Sequence, residues 1–101
     1  MIDIQWIRSK VQHGEYYLSR HADRERHDDN LTIEEIEQAI LSGRVLEPYA
    51  DTGRGESCLV VGFADNGKPI HVVCGYRGEQ LAVITVYIPS PPRFKNPYER
   101  G

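Results

Sequence analysis

Residues 69–88 read PIHVVCGYRGEQLAVITVYI. Two runs rich in β-branched and aromatic residues flank the turn cluster at 77–79, a pattern typical of a β-hairpin. The same composition recurs upstream at 58–64 and at 45–46, with turn clusters rich in Gly and Asp between the runs. The C-terminal half of the chain is therefore predicted to form an antiparallel meander of about four strands.

The N-terminal half has the periodicity of helices. Residues 4–11 carry apolar side chains at the spacing of one helix face. After a short strand at 16–19, residues 20–29 contain neither Gly nor Pro and are predicted to be helical. The Thr-x-x-Glu pattern at 32–35 is a capping box, which predicts a further helix that Gly43 ends.

These elements together indicate the fold class. The runs at 59–61 and 83–86 are apolar nearly throughout, so the central strands need cover on both faces. Helices are the available cover. We expect an α+β fold in which N-terminal helices pack on one face of a roughly four-stranded antiparallel sheet.

The length of 101 residues fits a single domain with one core. Its expected parts are an N-terminal helix over 1–15, helices and antiparallel sheet over 16–88, and a Pro-rich extended tail over 89–101. The prolines of this tail cannot donate to a ladder, so no regular strand pairing is expected there. Because no apolar run has the length of a membrane span and no signal-peptide pattern is present, we expect a cytoplasmic location and no membrane partner.

Composition argues against several classes of function. A net charge of −3 and a pI near 5.8 count against binding nucleic acid by bulk positive charge. Cys58 and Cys74 lack CxxC spacing and the four histidines lack a compact ligand pattern, so no metal is expected. No Gly-rich phosphate-binding motif is present either, and we expect no cofactor.

The polar helix predicted at 20–29 contains the first candidate site residues. It has few apolar residues with which to pack, so something other than burial is expected to fix its sequence. His21 and Arg24 lie three residues apart and share a helix face. An imidazole can move protons near neutral pH and a guanidinium can hold a phosphate, a combination suited to phosphoryl transfer. The alternative is a solvated helix with local ion pairs, Arg20 with Asp23 or Arg24 with Asp28.

The strands contribute three further candidates. Alternation places His71 on the sheet face opposite Ile70 and Val72, where it either lines a concave site or is a satisfied, half-buried histidine. Thr85 and Tyr87 share one face of the last strand and present two hydroxyls, although both are also ordinary strand residues.

The order of these motifs resembles the DUF4258 family of bacterial domains. The matching pieces are a short strand, HADR at 21–24, TIEE at 32–35, GKPIHVV at 67–73 and ITVYIP at 84–89, and together they span about residues 16–98. By fold-level analogy the family resembles the group of RelE-type toxins, barnase, EndoU and colicin ribonucleases. Phe94 departs from the tryptophan that many relatives carry in the tail.

The resemblance implies an activity and roles for the candidate residues. His21 would be the general acid or base on RNA, Arg24 the phosphate clamp, Thr85 or Tyr87 a hydroxyl on the phosphate or a proton donor, and His71 a second acid or base. It also implies RNA, free or ribosome-bound, as the substrate, and a small zinc-binding antitoxin as a partner that covers the site.

We therefore expect a metal-independent endoribonuclease toxin of a toxin-antitoxin system that cleaves RNA through attack by the 2′-hydroxyl. The alternative is a non-catalytic protein-interaction module in which the sheet and the Pro-rich tail form a docking surface. A sensor of a small ligand or nucleotide that uses the same face is a third interpretation.

Overall fold

The computed structural model describes residues 2–101 and has an α+β fold with three helices and a five-stranded mixed sheet. In chain order the elements are α1 (Ile4–Gln12), β1 (Tyr16–Leu18), α2 (Arg20–Asp28), α3 (Ile33–Ser42), β2 (Arg44–Tyr49), β3 (Ser57–Phe63), β4 (Pro69–Arg77), β5 (Gln80–Tyr87), β6 (Phe94–Asn96) and β7 (Glu99–Arg100).

The sheet has the strand order β1-β5-β4-β3-β2. Strands β2 to β5 form the predicted antiparallel meander, but β1 adds a fifth strand that runs parallel to β5, with Tyr16 opposite Leu81. The prediction of a purely antiparallel sheet of about four strands was therefore wrong at this edge. A three-residue strand is too short for its sequence to indicate a partner so far along the chain.

Local sequence signals account for the helices. The Thr32 hydroxyl accepts a hydrogen bond from the Glu35 amide at 3.0 Å, and the Glu35 carboxylate accepts one from the Thr32 amide at 2.9 Å, so the predicted capping box is confirmed. Helix α3 then packs closely on β3 at Gly62. A Cβ at that position would lie 1.8 Å from the carbonyl oxygen of Ala39, so only glycine fits.

The three helices cover one face of the sheet, which we call the helix face. Its core consists of buried side chains from α1 and α3 and from alternate positions of the central strands: Ile7, Val11, Ile36, Ile40, Cys58, Val60, Ile70, Val72, Cys74, Val83 and Val86. The expectation that the helices cover the sheet is thereby confirmed.

A bulge in β5 decides which side chains lie on the opposite face. Cys74 pairs with Val83 and Val73 pairs with Thr85, so Ile84 is the extra residue. Because of this insertion Val83 and Val86 both lie on the helix face. Thr85 and Tyr87 consequently lie on the face opposite the helices.

The C-terminal segment covers that opposite face, which we call the tail face. Strands β6 and β7 form a two-stranded hairpin, so the expectation of a tail without strand pairing was wrong. The prolines precede β6 or occupy the turn between the two strands, where no ladder donor is needed. Phe94 is 1% exposed, and Arg100 donates to both carboxylate oxygens of Glu47 at 2.7 and 2.8 Å, which lowers the pKa of Glu47.

No helix among residues 2–101 has the length and apolar character needed to cross a membrane.

Candidate active site at the edge of the sheet

Helix α2 begins where β1 stops pairing with β5. The Ser19 hydroxyl accepts a hydrogen bond from the Ala22 amide at 3.0 Å, which caps the helix, and donates to the Ile84 carbonyl at 2.9 Å. Ala22 is completely buried against the core. One serine therefore both starts α2 and fixes it to β5.

A carboxylate of α2 and the carboxylate of its C-cap residue complete the hydrogen bonding of the β5 edge. Glu25 Oε1 accepts from the Val86 amide at 3.1 Å, and Asp29 Oδ2 accepts from the Ile88 amide at 2.8 Å. Strand β1 pairs with β5 only as far as Val83, so these amides would otherwise lack a protein acceptor. This arrangement explains why a helix with so few apolar residues is fixed in place, and the i,i+4 spacing of the two acids was the signal in the sequence.

His21 is held by the same carboxylate. Its Nε2 lies 3.1 Å from Glu25 Oε1, and the His21 side chain is 67% exposed whereas that of Glu25 is 25% exposed. Because a carboxylate only accepts, Nε2 carries the proton and Nδ1 is left with a lone pair when the ring is neutral. The ring is thus oriented by Glu25 with its second nitrogen toward solvent.

The cations of α2 do not form the ion pairs of the solvated-helix interpretation. Arg26 pairs with Asp23 at 2.9 Å, in place of Arg20 with Asp23. Arg24 is exposed and makes no hydrogen bond or ion pair with residues 2–101. The guanidinium predicted to bind phosphate is therefore uncommitted within the described chain.

His71 has a different environment from His21. It is fully buried on the tail face, where its Nε2 lies 2.7 Å from the Pro97 carbonyl and its Nδ1 lies 3.2 Å from the Tyr87 hydroxyl. Since a carbonyl only accepts, Nε2 carries the proton and the Tyr87 hydroxyl donates to Nδ1. Burial lowers the pKa of His71 and favours this neutral form. Of the two interpretations of His71, this geometry favours a satisfied histidine that joins the tail to the sheet.

A pocket of about 340 Å³ lies between α2, the end of β5 and the start of the tail. Its lining residues are Glu25, Asp29, Tyr87, Ile88, Ser90, Pro91, Pro92 and Arg93. The Arg93 guanidinium lies 5.6 Å from the centre of the Tyr87 ring. We call this cavity the edge pocket.

The edge pocket brings together only some of the predicted site residues. Tyr87 lines it, and His21 adjoins it through its bond to Glu25. Arg24, Thr85 and His71 are not among the lining residues. Thr85 is partly exposed and makes no side-chain hydrogen bond with residues 2–101.

Arg93 has no comparable signal in the sequence. Its entry into the pocket depends on how the tail folds back over the tail face, which residue spacing does not reveal.

The edge pocket is lined by two carboxylates, Glu25 and Asp29, by the Tyr87 side chain and by the Arg93 cation, and the His21 imidazole lies at its rim. Burial raises the pKa of Tyr87, while the nearby Arg93 opposes that shift, and the one proton of its hydroxyl is donated to His71 Nδ1. Among residues 2–101 no three His, Cys, Asp or Glu side chains are grouped as ligands for a metal ion. The arrangement is suited to moving protons beside a bound anion.

One family model, described as a domain of unknown function (DUF4258), matches residues 18–88. The match covers most of the chain and includes α2, α3 and the four antiparallel strands, so the resemblance drawn from the motifs is confirmed. No curated protein and no solved structure was found to match the chain.

Proposed function

The chain belongs to the DUF4258 family, and from that premise we propose that it is a metal-independent endoribonuclease whose active site is the edge pocket. The observation that carries the proposal is the convergence of Glu25, Tyr87 and Arg93 on one pocket, with His21 bonded to Glu25 at its rim. RNA carries its own nucleophile in the 2′-hydroxyl, so a site that moves protons and stabilises phosphate charge is sufficient.

His21 is assigned the role of general base. Glu25 accepts from Nε2, which orients the ring and favours the imidazolium that forms when Nδ1 takes the proton of the 2′-hydroxyl. The high exposure of the His21 side chain leaves that nitrogen accessible to a large substrate. Glu25 is a positioning residue in this scheme, because it acts through the His21 ring. Its second oxygen, Oε2, accepts no hydrogen bond from residues 2–101.

Two cations are assigned to the phosphate. Arg93 lines the pocket, and Arg24, on helix α2 beside it, has no carboxylate partner among residues 2–101. Both guanidinium groups are therefore available for charge-assisted bonds to phosphate oxygens. Tyr87 approaches from β5 rather than from α2. Its hydroxyl proton is donated to His71 Nδ1, so Tyr87 is assigned to hold the Arg93 guanidinium, which lies 5.6 Å from the centre of its ring, beside the phosphate. In this scheme His21 takes the proton of the 2′-hydroxyl, and the departing 5′-oxygen takes a proton from water at the exposed rim of the pocket.

We further propose that the enzyme is a toxin. A small zinc-binding antitoxin would then be its partner and would cover the edge pocket. This part of the proposal rests on the resemblance to ribonuclease toxins. It predicts that induced expression in bacteria arrests growth and that His21→Ala relieves the arrest.

The direct test uses purified protein with a labelled RNA that has both single-stranded and paired regions, in the presence of EDTA. Wild type should cleave in single-stranded regions and leave a 2′,3′-cyclic phosphate. His21→Ala and Arg93→Ala should each lower the rate by about 10²-fold or more. His27→Ala is the matched control, because His27 is a 65% exposed histidine on the same helix that lies outside the pocket.

A parallel reaction uses messenger RNA bound to ribosomes. It detects an activity that requires the ribosome and is therefore absent with free RNA. Absence of cleavage in both reactions, or equal cleavage by wild type and His21→Ala, would refute the proposal. The first result would instead favour the non-catalytic interaction module.

A further inference from the structure

Three aromatic and cationic side chains form an exposed cluster on the tail face, remote from the edge pocket. The rings of Phe63 and Tyr98 lie 6.3 Å apart, and the Arg44 guanidinium lies 5.0 Å from the centre of the Tyr98 ring. Phe63 is 37% exposed and Tyr98 is 45% exposed. We call this cluster the aromatic platform.

The platform is not needed to hold the tail on the sheet. Phe94 is already buried beneath the hairpin, Arg100 binds both oxygens of Glu47, and the Pro97 carbonyl binds His71. Tyr98 and Phe63 still leave much of their surface in water although these anchors exist. The two rings therefore leave surface accessible to a ligand.

The charge of the platform favours an anionic ligand. Arg44 is exposed and makes no hydrogen bond or ion pair with residues 2–101. Two cations of the tail hairpin are neutralised, since Arg100 pairs with Glu47 and Lys95 pairs with Glu99 at 3.2 Å. Arg44 therefore provides an uncompensated positive charge beside two ring faces.

The register of the sheet gives the distance between the platform and the edge pocket. Tyr87 pairs with His71, His71 with Val61, and Val61 with Arg44, so these residues form one row across four neighbouring strands. Three interstrand steps of about 4.8 Å place the two ends of the row about 14 Å apart. A single strand with stacked bases rises about 3.4 Å per nucleotide, so a strand that passes over the tail hairpin between the two sites needs at least about four nucleotides.

We propose that the aromatic platform binds a base and the adjacent phosphate of single-stranded RNA, a few nucleotides from the bond held in the edge pocket. Phe63 and Tyr98 provide ring faces for stacking, and Arg44 contacts the phosphate. A local site of this kind is how a chain of net charge −3 engages RNA without a basic surface. The proposal rests on the proposed ribonuclease function for the identity of its ligand.

The test separates binding from cleavage. A fluorescent eight-nucleotide 2′-O-methyl RNA cannot be cut by 2′-hydroxyl attack, so its anisotropy reports affinity alone. Phe63→Ala and Tyr98→Ala should each weaken binding by at least about fivefold, since each removes a stacking partner. Arg44→Ala should weaken binding and reduce the slope of log affinity against log salt by about one. Tyr17→Ala is the matched control, because Tyr17 is a 41% exposed aromatic residue on β1.

Circular dichroism of each variant identifies any loss of fold, and Phe63→Ala keeps the test valid if Tyr98→Ala disturbs the hairpin. Affinities of the Phe63 and Arg44 variants equal to that of Tyr17→Ala would overturn the platform, as would absence of wild-type binding. Those results would instead favour a protein as the ligand of the aromatic platform.

Failure of the two proposals can be distinguished. Platform-dependent binding without any cleavage of unmodified RNA would support the platform and refute the nuclease. Cleavage that requires His21, with binding unaffected by Phe63→Ala, would refute the platform alone.

Discussion

Glu25 is the residue at which structural and catalytic contributions can be separated most cleanly. Its Oε1 accepts from the Val86 amide and from His21. Glu25→Ala removes both bonds, whereas Glu25→Gln keeps a side-chain oxygen as an acceptor and removes only the charge. The two variants should therefore differ in stability and agree in activity.

The expected size of the stability effect follows from the contact. Loss of a hydrogen bond to a charged acceptor costs about 1.5–3 kcal/mol. The Glu25 side chain is 25% exposed, so water partly replaces it, and alanine gains a few tenths of a kcal/mol in helix propensity. We expect Glu25→Ala to lower the free energy of unfolding by about 1–2 kcal/mol and Glu25→Gln by less than about 1 kcal/mol.

Urea denaturation followed by circular dichroism measures the stability of each variant, and the RNA-cleavage rate measures its activity. Both variants should lose about 10²-fold in rate, the lower end of the range for general acid–base groups. Asp28→Ala is the control, since Asp28 is exposed on the same helix and makes no hydrogen bond or ion pair with residues 2–101. If Glu25→Ala is as stable as wild type, or if Glu25→Gln is destabilised equally, the edge-capping role is wrong.

Three further predictions concern the packing of the sheet. Phe94→Ala should lower the free energy of unfolding by about 3–5 kcal/mol, because the ring is 1% exposed beneath the hairpin; a urea midpoint close to that of wild type would contradict this. Gly62→Ala should give little folded protein in a dichroism spectrum, since its Cβ would lie 1.8 Å from the Ala39 carbonyl oxygen. Burial lowers the pKa of His71 in the folded chain from its ordinary value of 6.5. At a pH below 6.5 the unfolded chain therefore binds more protons than the folded chain. Stability should therefore be complete above pH 6.5 and decrease as the pH falls below it, and His71→Gln should reduce that dependence in urea midpoints taken from pH 7.5 to 5.5.

Much of the architecture was predictable from local patterns. The apolar periodicity of residues 4–11 predicted α1, and the capping box at 32–35 predicted α3. The β-branched runs predicted β3, β4 and β5. These signals are local because a helix cap or an alternating strand is specified within a few residues. The tail was mispredicted since proline excludes a residue from a ladder but does not exclude a hairpin in which prolines occupy the turn.

The candidate site was only partly predictable. His21 and Tyr87 were identified from residue type and position, and the structure joins both to the edge pocket, the first through Glu25. His71 was identified by the same reasoning, yet it is buried with both ring nitrogens bonded. Residue type indicates what a side chain can do, but burial and partners decide whether it is available.

The sequence by itself determined most of the helices and strands and their order, because these follow from spacing along the chain, whereas the bulge at Ile84 and the tail hairpin were not predicted. Tertiary structure alone decided that β1 runs parallel to β5, that carboxylates of α2 and its C-cap residue complete the edge beyond it, and that the tail brings Arg93 to the same pocket. The physical reason is that hydrogen bonds between distant segments form only where backbone amides remain unpaired, and which amides those are depends on the assembled sheet.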